Sequence, residues 1–238
     1  MPLNWHGYKR GCLPRASRFA TRCPAFSDHI KPIPERDWPE AIREAKSLRP
    51  WVPCIFDQNG YGSCATESAG GGMQIVRAAA GRAPIELNPL SVYCFTKVGR
   101  DGGSAIDTNL AQLRDVGILP EDIWPRSKGI HQKPPQDLLD EHAIRIEEFY
   151  DLGSIADGVT AYYEGWPFVY ARRGHSMLGV TIWQDLMFEA LNSWGKKSGD
   201  GGYVRESLYS DIDFRYGLFA VRTVTGHPDD LVPPPLEV

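Results

Sequence analysis

No run in this 238-residue sequence approaches the roughly 20 consecutive apolar residues that a membrane-spanning helix needs; the longest are broken by Gly, Pro or charge. The opening Met-Pro-Leu-Asn-Trp-His-Gly-Tyr-Lys-Arg has none of the apolar core that marks a secretory signal, so export by that route is not expected. Blocks of like charge are missing too, and a formal net charge of −4 argues against nucleic acid as the main partner. There is no Cys-x-x-Cys pair and the six histidines complete no zinc pattern, so no structural metal is expected. Five cysteines are too few for a disulfide-dense secreted scaffold at this length, and the odd count leaves at least one thiol unpaired in a monomer. What is present is 42% hydrophobic residues with 7 Trp, enough to bury a full core as one large domain or two lobes and incompatible with dominant disorder.

Along the chain the texture changes twice. Residues 1–32 are basic and broken by Pro14, Pro24 and Pro32, and read as an extended arm. Asp37 to Leu48 is helix-compatible, with Trp38, Ile42 and Ala45 spaced for one face. From Cys64 to Ala80 the residues Ala65, Ala69, Met73, Val76 and Ala80 recur at three- and four-residue intervals, which predicts a buried central helix opened by a cysteine. Gly70, Gly71 and Gly72 inside it would each weaken an isolated helix by up to about 1 kcal/mol, so another segment is expected to pack close there. Leu90 to Val98 is helix-like, and Leu110, Leu113 and Val116 mark a helix from Ile106 that Gly117 stops. After a Pro-rich loop at 125–136, short aromatic and β-branched segments follow at Glu147–Tyr150, Phe168–Ala171, Met177–Trp183, Met187–Asn192, Gly202–Arg205 and Leu218–Val224. Helices first and strands later imply an α+β chain of two lobes. Residues 226–238, with Pro233-Pro234-Pro235, read as a loose tail.

Cys64 carries the clearest chemical signal. A thiol at a helix N-terminus has its thiolate favoured by unsatisfied N–H groups and the helix dipole. The turn Asp57-Gln58-Asn59-Gly60-Tyr61-Gly62-Ser63 before it is glycine-rich, so another backbone can approach. Gln58, six residues upstream, could aim an amide donor at an oxygen that turns negative when the thiolate attacks a carbonyl. A buried, inert cysteine is the competing reading of Cys64. His6, His29, His131, His142 and His227 sit in polar termini or charged loops and read as solvated side chains, whereas His175 lies in a small, apolar strand with Gly174 giving access.

Asp57 to Ala65, set beside Leu191-Asn192-Ser193-Trp194-Gly195 and Gly174-His175-Ser176-Met177-Leu178-Gly179-Val180, resembles the hallmark segments of the papain-like cysteine peptidases, in the family's order of Gln, Cys, His, Asn. Further similarity lies in Asp37-Trp38, in Gly102-Gly103 of the substrate-lining loop, in Gly117 to Pro125 and in Gly199-Asp200-Gly201-Gly202-Tyr203-Val204; it covers roughly residues 33–225. The resemblance implies a papain-like two-lobed fold: a helical lobe of about 54–145, an antiparallel β-barrel-like lobe of about 146–225 plus part of 33–53, and an active-site cleft between them. It makes Cys64 the nucleophile, His175 the base, Asn192 the group that orients His175, and Gln58 part of an oxyanion hole. It places Gly102, Gly103, Ala65, Gly174 and Trp194 along the substrate. Trp194 would shield the His–Asn bond. The implied activity is endopeptidase hydrolysis of peptides or proteins through a thioester, with no metal or cofactor. The alternatives are a non-catalytic binding or structural module on the same fold, or acyl transfer to an amine through the same thioester.

Departures from the family pattern carry their own expectations. Ala65 stands where a tryptophan is usual, which removes packing and would widen the cleft. The usual disulfide between the nucleophile turn and the glycine loop loses both partners, to Tyr61 and Arg100, as a reducing compartment permits; the expected setting is cytoplasm or a phage particle. Cys12 and Cys23 could pair, but their spacing proves nothing, while Cys54 and Cys94 read as buried thiols. The stretch from Trp166 to His175 is very short, which predicts a shallow, open site on the β side. The arm of about 32 residues is far shorter than the helical propeptide of secreted relatives; docking on a partner or surface packing is favoured over occupation of the cleft, because the arm is basic and lacks a helical pattern.

Overall fold

The computed structural model describes residues 9–15 and 22–226; the leading eight residues with His6, the segment 16–21, and the tail beyond Gly226 with His227 lie outside the described residues. Its helices are α1 (Trp38–Glu44), α2 (Cys64–Ala79), α3 (Leu90–Thr96), α4 (Ile106–Asp115), α5 (Gln136–His142) and α6 (Ile155–Tyr163). Strands β1 (Cys12–Leu13) and β2 (Ser104–Ala105) form a short parallel pair. Strands β3 (Ile146–Asp151), β4 (Phe168–Arg172), β5 (His175–Ile182), β6 (Met187–Leu191), β7 (Tyr203–Ser207) and β8 (Phe219–Val224) form an antiparallel sheet in the order β3-β8-β4-β5-β6-β7. The sheet is open: β3 and β7 are its two edges, so the barrel-like closure expected for the β lobe is absent among the described residues.

Side-chain alternation sorts the sheet into two faces. Val169 and Ala171 of β4, Leu178 and Val180 of β5, and Phe219 and Val221 of β8 join a core with Cys64, Ala65, Ala69 and Met73 of α2. Phe168 and Tyr170, Met177, and Ala220 turn to a second core with Phe188 and with Val159 and Tyr162 of α6. A register shift between Gly179 and Thr181 moves Ile182 to that second face. The glycines of α2 have a packing reason: a Cβ on Gly71 would stand 3.3 Å from Leu178, and one on Gly72 would stand 3.3 Å from Val221. The cost in helix propensity is thus offset by close seating of the helix on the sheet.

Two helices were not expected. α5 follows directly on the Pro-rich loop. α6 stands inside the run expected to hold only strands, and its signal was present: Ser154 accepts from the Asp157 N–H at 3.2 Å while the Asp157 carboxylate accepts from the Ser154 N–H at 3.1 Å.

Candidate active site

The turn before α2 is pinned to the β6–β7 connection. The Gln58 N–H donates to the Ser193 carbonyl at 2.9 Å and the Gly195 N–H to the Phe56 carbonyl at 3.0 Å. Asn59 (φ 47°) and Gly60 (φ 78°) both take left-handed backbone to reverse the chain. Below the turn, the Ser63 hydroxyl donates to Glu67 at 3.0 Å, and buried Glu67 pairs with Arg126 at 2.5 Å. Arg126 also donates to the Asp57 carbonyl at 2.9 Å, so one ion pair ties the turn before Cys64 to its helix. Cys64 is fully buried at the first position of α2.

His175 opens β5 across a two-residue hairpin, Arg173 (φ 50°) and Gly174 (φ 79°), whose paired positive φ angles match a type I′ turn. That tight turn is the physical form of the short stretch seen in the sequence. The His175 Nε2 lies 2.8 Å from the Asn192 Oδ1, leaving Nδ1 buried without a hydrogen-bond partner. The Asn192 oxygen also accepts from the Ser193 N–H at 2.8 Å, which fixes the amide orientation so that the His175 Nε2 is the donor. Trp194 stacks on the imidazole with ring centroids 4.4 Å apart.

Gln58 is oriented with equal definition. Its Oε1 accepts from the Ser193 hydroxyl at 2.8 Å and the Trp194 indole N–H at 3.1 Å, so its amide N–H groups face the cleft. One donates to the Lys9 carbonyl at 3.0 Å and another to the Tyr61 carbonyl. Gln58, Cys64, His175, Asn192 and Trp194 therefore come together from α2, its preceding turn, β5 and the segment after β6. A cavity of about 400 Å³ opens beside His175 and Trp194, with Met177, Val204, Glu206 and Arg10 in its walls.

The expected missing disulfide has a substitute. Asp101 accepts at Oδ1 from the Gly62 N–H at 2.9 Å and from the Tyr93 hydroxyl at 2.8 Å, joining the turn before Cys64 to the glycine loop by hydrogen bonds. Burial pushes the Asp101 carboxyl up, but the Lys9 ion pair and these donors outweigh it and hold it below its ordinary value. Within the loop, the Gly102 N–H donates to the Val98 carbonyl at 2.7 Å, and a Cβ there would stand 2.5 Å from that oxygen. All five cysteines are free thiols; Cys12 and Cys23 do not pair, and Cys54 is half-buried where full burial was expected.

The described arm does two things: Phe26 packs into the second core against Tyr150 and Trp166, as surface packing predicts, whereas residues 9–15 run through the cleft. The Gly11 carbonyl accepts from the Ser104 N–H at 2.9 Å, next to Gly102-Gly103, and the Cys12 N–H donates to the Gly174 carbonyl at 2.9 Å on the other wall. Contact is so close that a Cβ on Gly11 would lie 1.8 Å from the Gly62 oxygen. The shallow, open site expected on the β side is thus covered at its centre. Ala65 lies wholly inside the interlobe core, so the missing tryptophan does not widen an exposed cleft here. Lys9, Gly11, Arg15 and Asp101 carry this arrangement, and sequence reasoning missed all four.

Electrostatics follow from the cover. The Cys64 thiol is pushed up by burial, which outweighs the N–H groups of Ser176, Gly11 and Ala65 directed at its sulfur. His175 is pushed down to about 4, by burial first and by the Arg10 charge, against the support of Asn192. With the arm in place the pair is a neutral thiol and a neutral imidazole, where the helix-terminus argument had favoured thiolate. From the arm, the Gly11 N–H is directed at the sulfur.

Among the described residues no cluster of His, Cys, Asp and Glu could hold a metal ion, and no helix is long and apolar enough to cross a membrane. No family model matches the sequence, and no curated protein is similar enough to match it. Solved structures are similar in fold. Xylellain, a cysteine protease from Xylella fastidiosa, superposes with a TM-score of 0.70 at 20% identity over 92% of this chain and 97% of that one. Procathepsin L 3 of Tenebrio molitor larval midgut gives 0.65 at 17% identity over 87% and 77% of the two chains. A structure from work on the mite allergens Blo t 1 and Der p 1 gives 0.63 at 16% identity over 92% and 78%. With helices packed on a six-stranded antiparallel sheet and the cysteine and histidine on opposite sides of the junction, this chain has the papain-like fold.

Proposed function

We propose that the chain is a cysteine endopeptidase whose described form is latent, closed by its own N-terminal arm. The observation that carries the reading is the Gln58 amide, held by Ser193 and Trp194 and already donating to a peptide carbonyl, that of Lys9, beside Cys64 and the His175–Asn192 pair. A non-catalytic descendant has no physical need for an aimed amide donor, a half-satisfied imidazole and a helix-terminal thiol at one point.

Once a substrate replaces the arm, water and the peptide carbonyl reach Cys64 and His175 loses its burial. The thiol then passes its proton to the His175 Nδ1, whose Nε2–H is held by Asn192, and the resulting imidazolium stabilises the thiolate. Sulfur attack on the scissile carbonyl builds charge on its oxygen, which the Gln58 amide and the Cys64 N–H receive. The imidazolium gives its proton to the leaving amine; water, deprotonated by the same nitrogen, then releases the acyl group from sulfur. Both the peptide and protein substrates and the Cys64-His175-Asn192 roles belong to this reading.

Labelling with an epoxide or vinyl-sulfone peptidase probe, followed by peptide mapping, tests it. The modified residue should be Cys64, and Cys64→Ala should lose all hydrolysis with a nearly unchanged melting temperature. Full hydrolysis by Cys64→Ala, or modification elsewhere, refutes the assignment.

A further inference from the structure

Arg15, the last described residue before position 16, is seated against β3 and β8. Its guanidinium forms a two-pronged pair with Asp151 of β3, Nη1 to Oδ1 at 3.1 Å and Nη2 to Oδ2 at 2.7 Å. The guanidinium carbon stands 5.3 Å from the centre of the Phe219 ring of β8. Asp107, in the first turn of α4, is fully buried nearby and adds to the negative field at the cation, and the Arg15 N–H is held by the Arg215 carbonyl at 2.9 Å. The Asp151 side chain is only 6% exposed. A buried carboxylate stripped of its cation is costly, so a chain that displaces the arm is favoured when it brings a cation to the same place.

The path of the arm sets where that place lies along a substrate. Arg10 lines the cavity beside His175 and Trp194, Cys12 is held by Gly174 next to His175, and Arg15 lies three residues further on. At about 3.3 Å per extended residue this puts the guanidinium seat roughly 10 Å along the groove, at the end away from Trp194. A flat, forked cation fits both the two carboxylate oxygens and the ring face, which favours arginine over lysine.

We propose that Asp151 and Phe219 form a specificity site for an arginine side chain of the substrate, and that Arg15 is its resident occupant in the latent form. This rests on the peptidase reading given above. Preferred substrates then carry arginine a few residues from the scissile bond, on the side remote from Trp194.

The test uses the full chain with Arg15→Ala, which empties the seat, and a peptide library in which arginine at each position is compared with citrulline, its neutral isostere. One position should favour arginine by about tenfold or more in kcat/KM, and Asp151→Asn in the same background should bring that ratio to within about twofold of one. A ratio near one at every position in Arg15→Ala alone overturns the proposal and leaves Asp151 as an anchor for the arm. Binding of the best arginine and citrulline peptides to the Cys64→Ala, Arg15→Ala chain gives a readout free of chemistry. Tighter arginine binding without hydrolysis by the Arg15→Ala chain supports the site and counts against the peptidase reading, whereas hydrolysis with equal binding of both peptides overturns the site and keeps the peptidase.

Discussion

Gly11→Ala is the sharpest perturbation of the closed arrangement proposed to be latent. The added Cβ would stand 1.8 Å from the Gly62 oxygen and 2.4 Å from its Cα, against backbone on which Cys64 depends. No flexible side chain can yield there, so the arm must lift. Lifting removes three cleft hydrogen bonds: Ser104 N–H to the Gly11 carbonyl, Cys12 N–H to the Gly174 carbonyl, and the Gln58 amide to the Lys9 carbonyl. At about 0.5–1.5 kcal/mol net for each, the closed state loses about 1.5–4.5 kcal/mol, with nothing added for the part-exposed Lys9–Asp101 pair. With tenfold per 1.4 kcal/mol, the fraction of molecules with an accessible Cys64 should rise roughly 10- to 1,600-fold. The assay is the second-order rate of Cys64 labelling by the epoxide probe, followed by hydrolysis of a quenched fluorescent peptide pool. Labelling of Gly11→Ala at the parent's rate, with the fold intact by circular dichroism, would show that the arm does not control access and would refute the latency argument.

Acidification should loosen the same closure. His175 is held to about 4 by burial in the closed form, below the ordinary imidazole value of about 6.5. Between those values the arm-displaced form takes up a proton that the closed form refuses, so the closed form loses ground as pH falls from about 6.5 to about 4, by up to about tenfold per pH unit. Peptide binding to Cys64→Ala should therefore tighten from pH 7 to pH 4.5, and the same binding to Cys64→Ala, Gly11→Ala should change far less; equal pH dependence in both chains contradicts the argument. Asn192→Ala removes the oxygen that orients the His175 Nε2 and should lower kcat on the order of 10²-fold with little change in KM, measured in the Gly11→Ala background. Glu67→Ala leaves the Arg126 charge without its buried partner and should cost about 3–5 kcal/mol. At about 2–4 °C per kcal/mol that lowers Tm by roughly 6–20 °C, and a drop under about 2 °C in a thermal scan would show that the pair is not what holds the turn before Cys64.

What could be read from the sequence follows the kind of interaction that carries each feature. The α2 helix and the β5–β6 strands were legible because side chains define them, through periodicity and through the small-residue turn, and so was the gathering of Gln58, Cys64, His175 and Asn192 at one place. The helix α6 was legible in principle from Ser154 and Asp157, but the aromatic texture around it suggested strands. The tie between the turn before Cys64 and the glycine loop changed its means: Asp101 does by hydrogen bonds to Gly62 and Tyr93 what a disulfide pair does elsewhere, and one aspartate in a loop carries no spacing signature. The passage of residues 9–15 through the cleft was not legible for a related reason. Its hold on the cleft runs through backbone groups of Lys9, Gly11 and Cys12, which every residue type but proline can supply in full, so no periodicity or motif records it. Some of its described residues do have a side-chain requirement. Gly11 must lack a Cβ and Arg15 must carry a guanidinium, and a glycine and an arginine in a basic, irregular segment look like composition until the surfaces they meet are known. The basic character that had argued for a docking role is, at Lys9 and Arg15, complementary to Asp101 and Asp151 on the protein's own cleft walls.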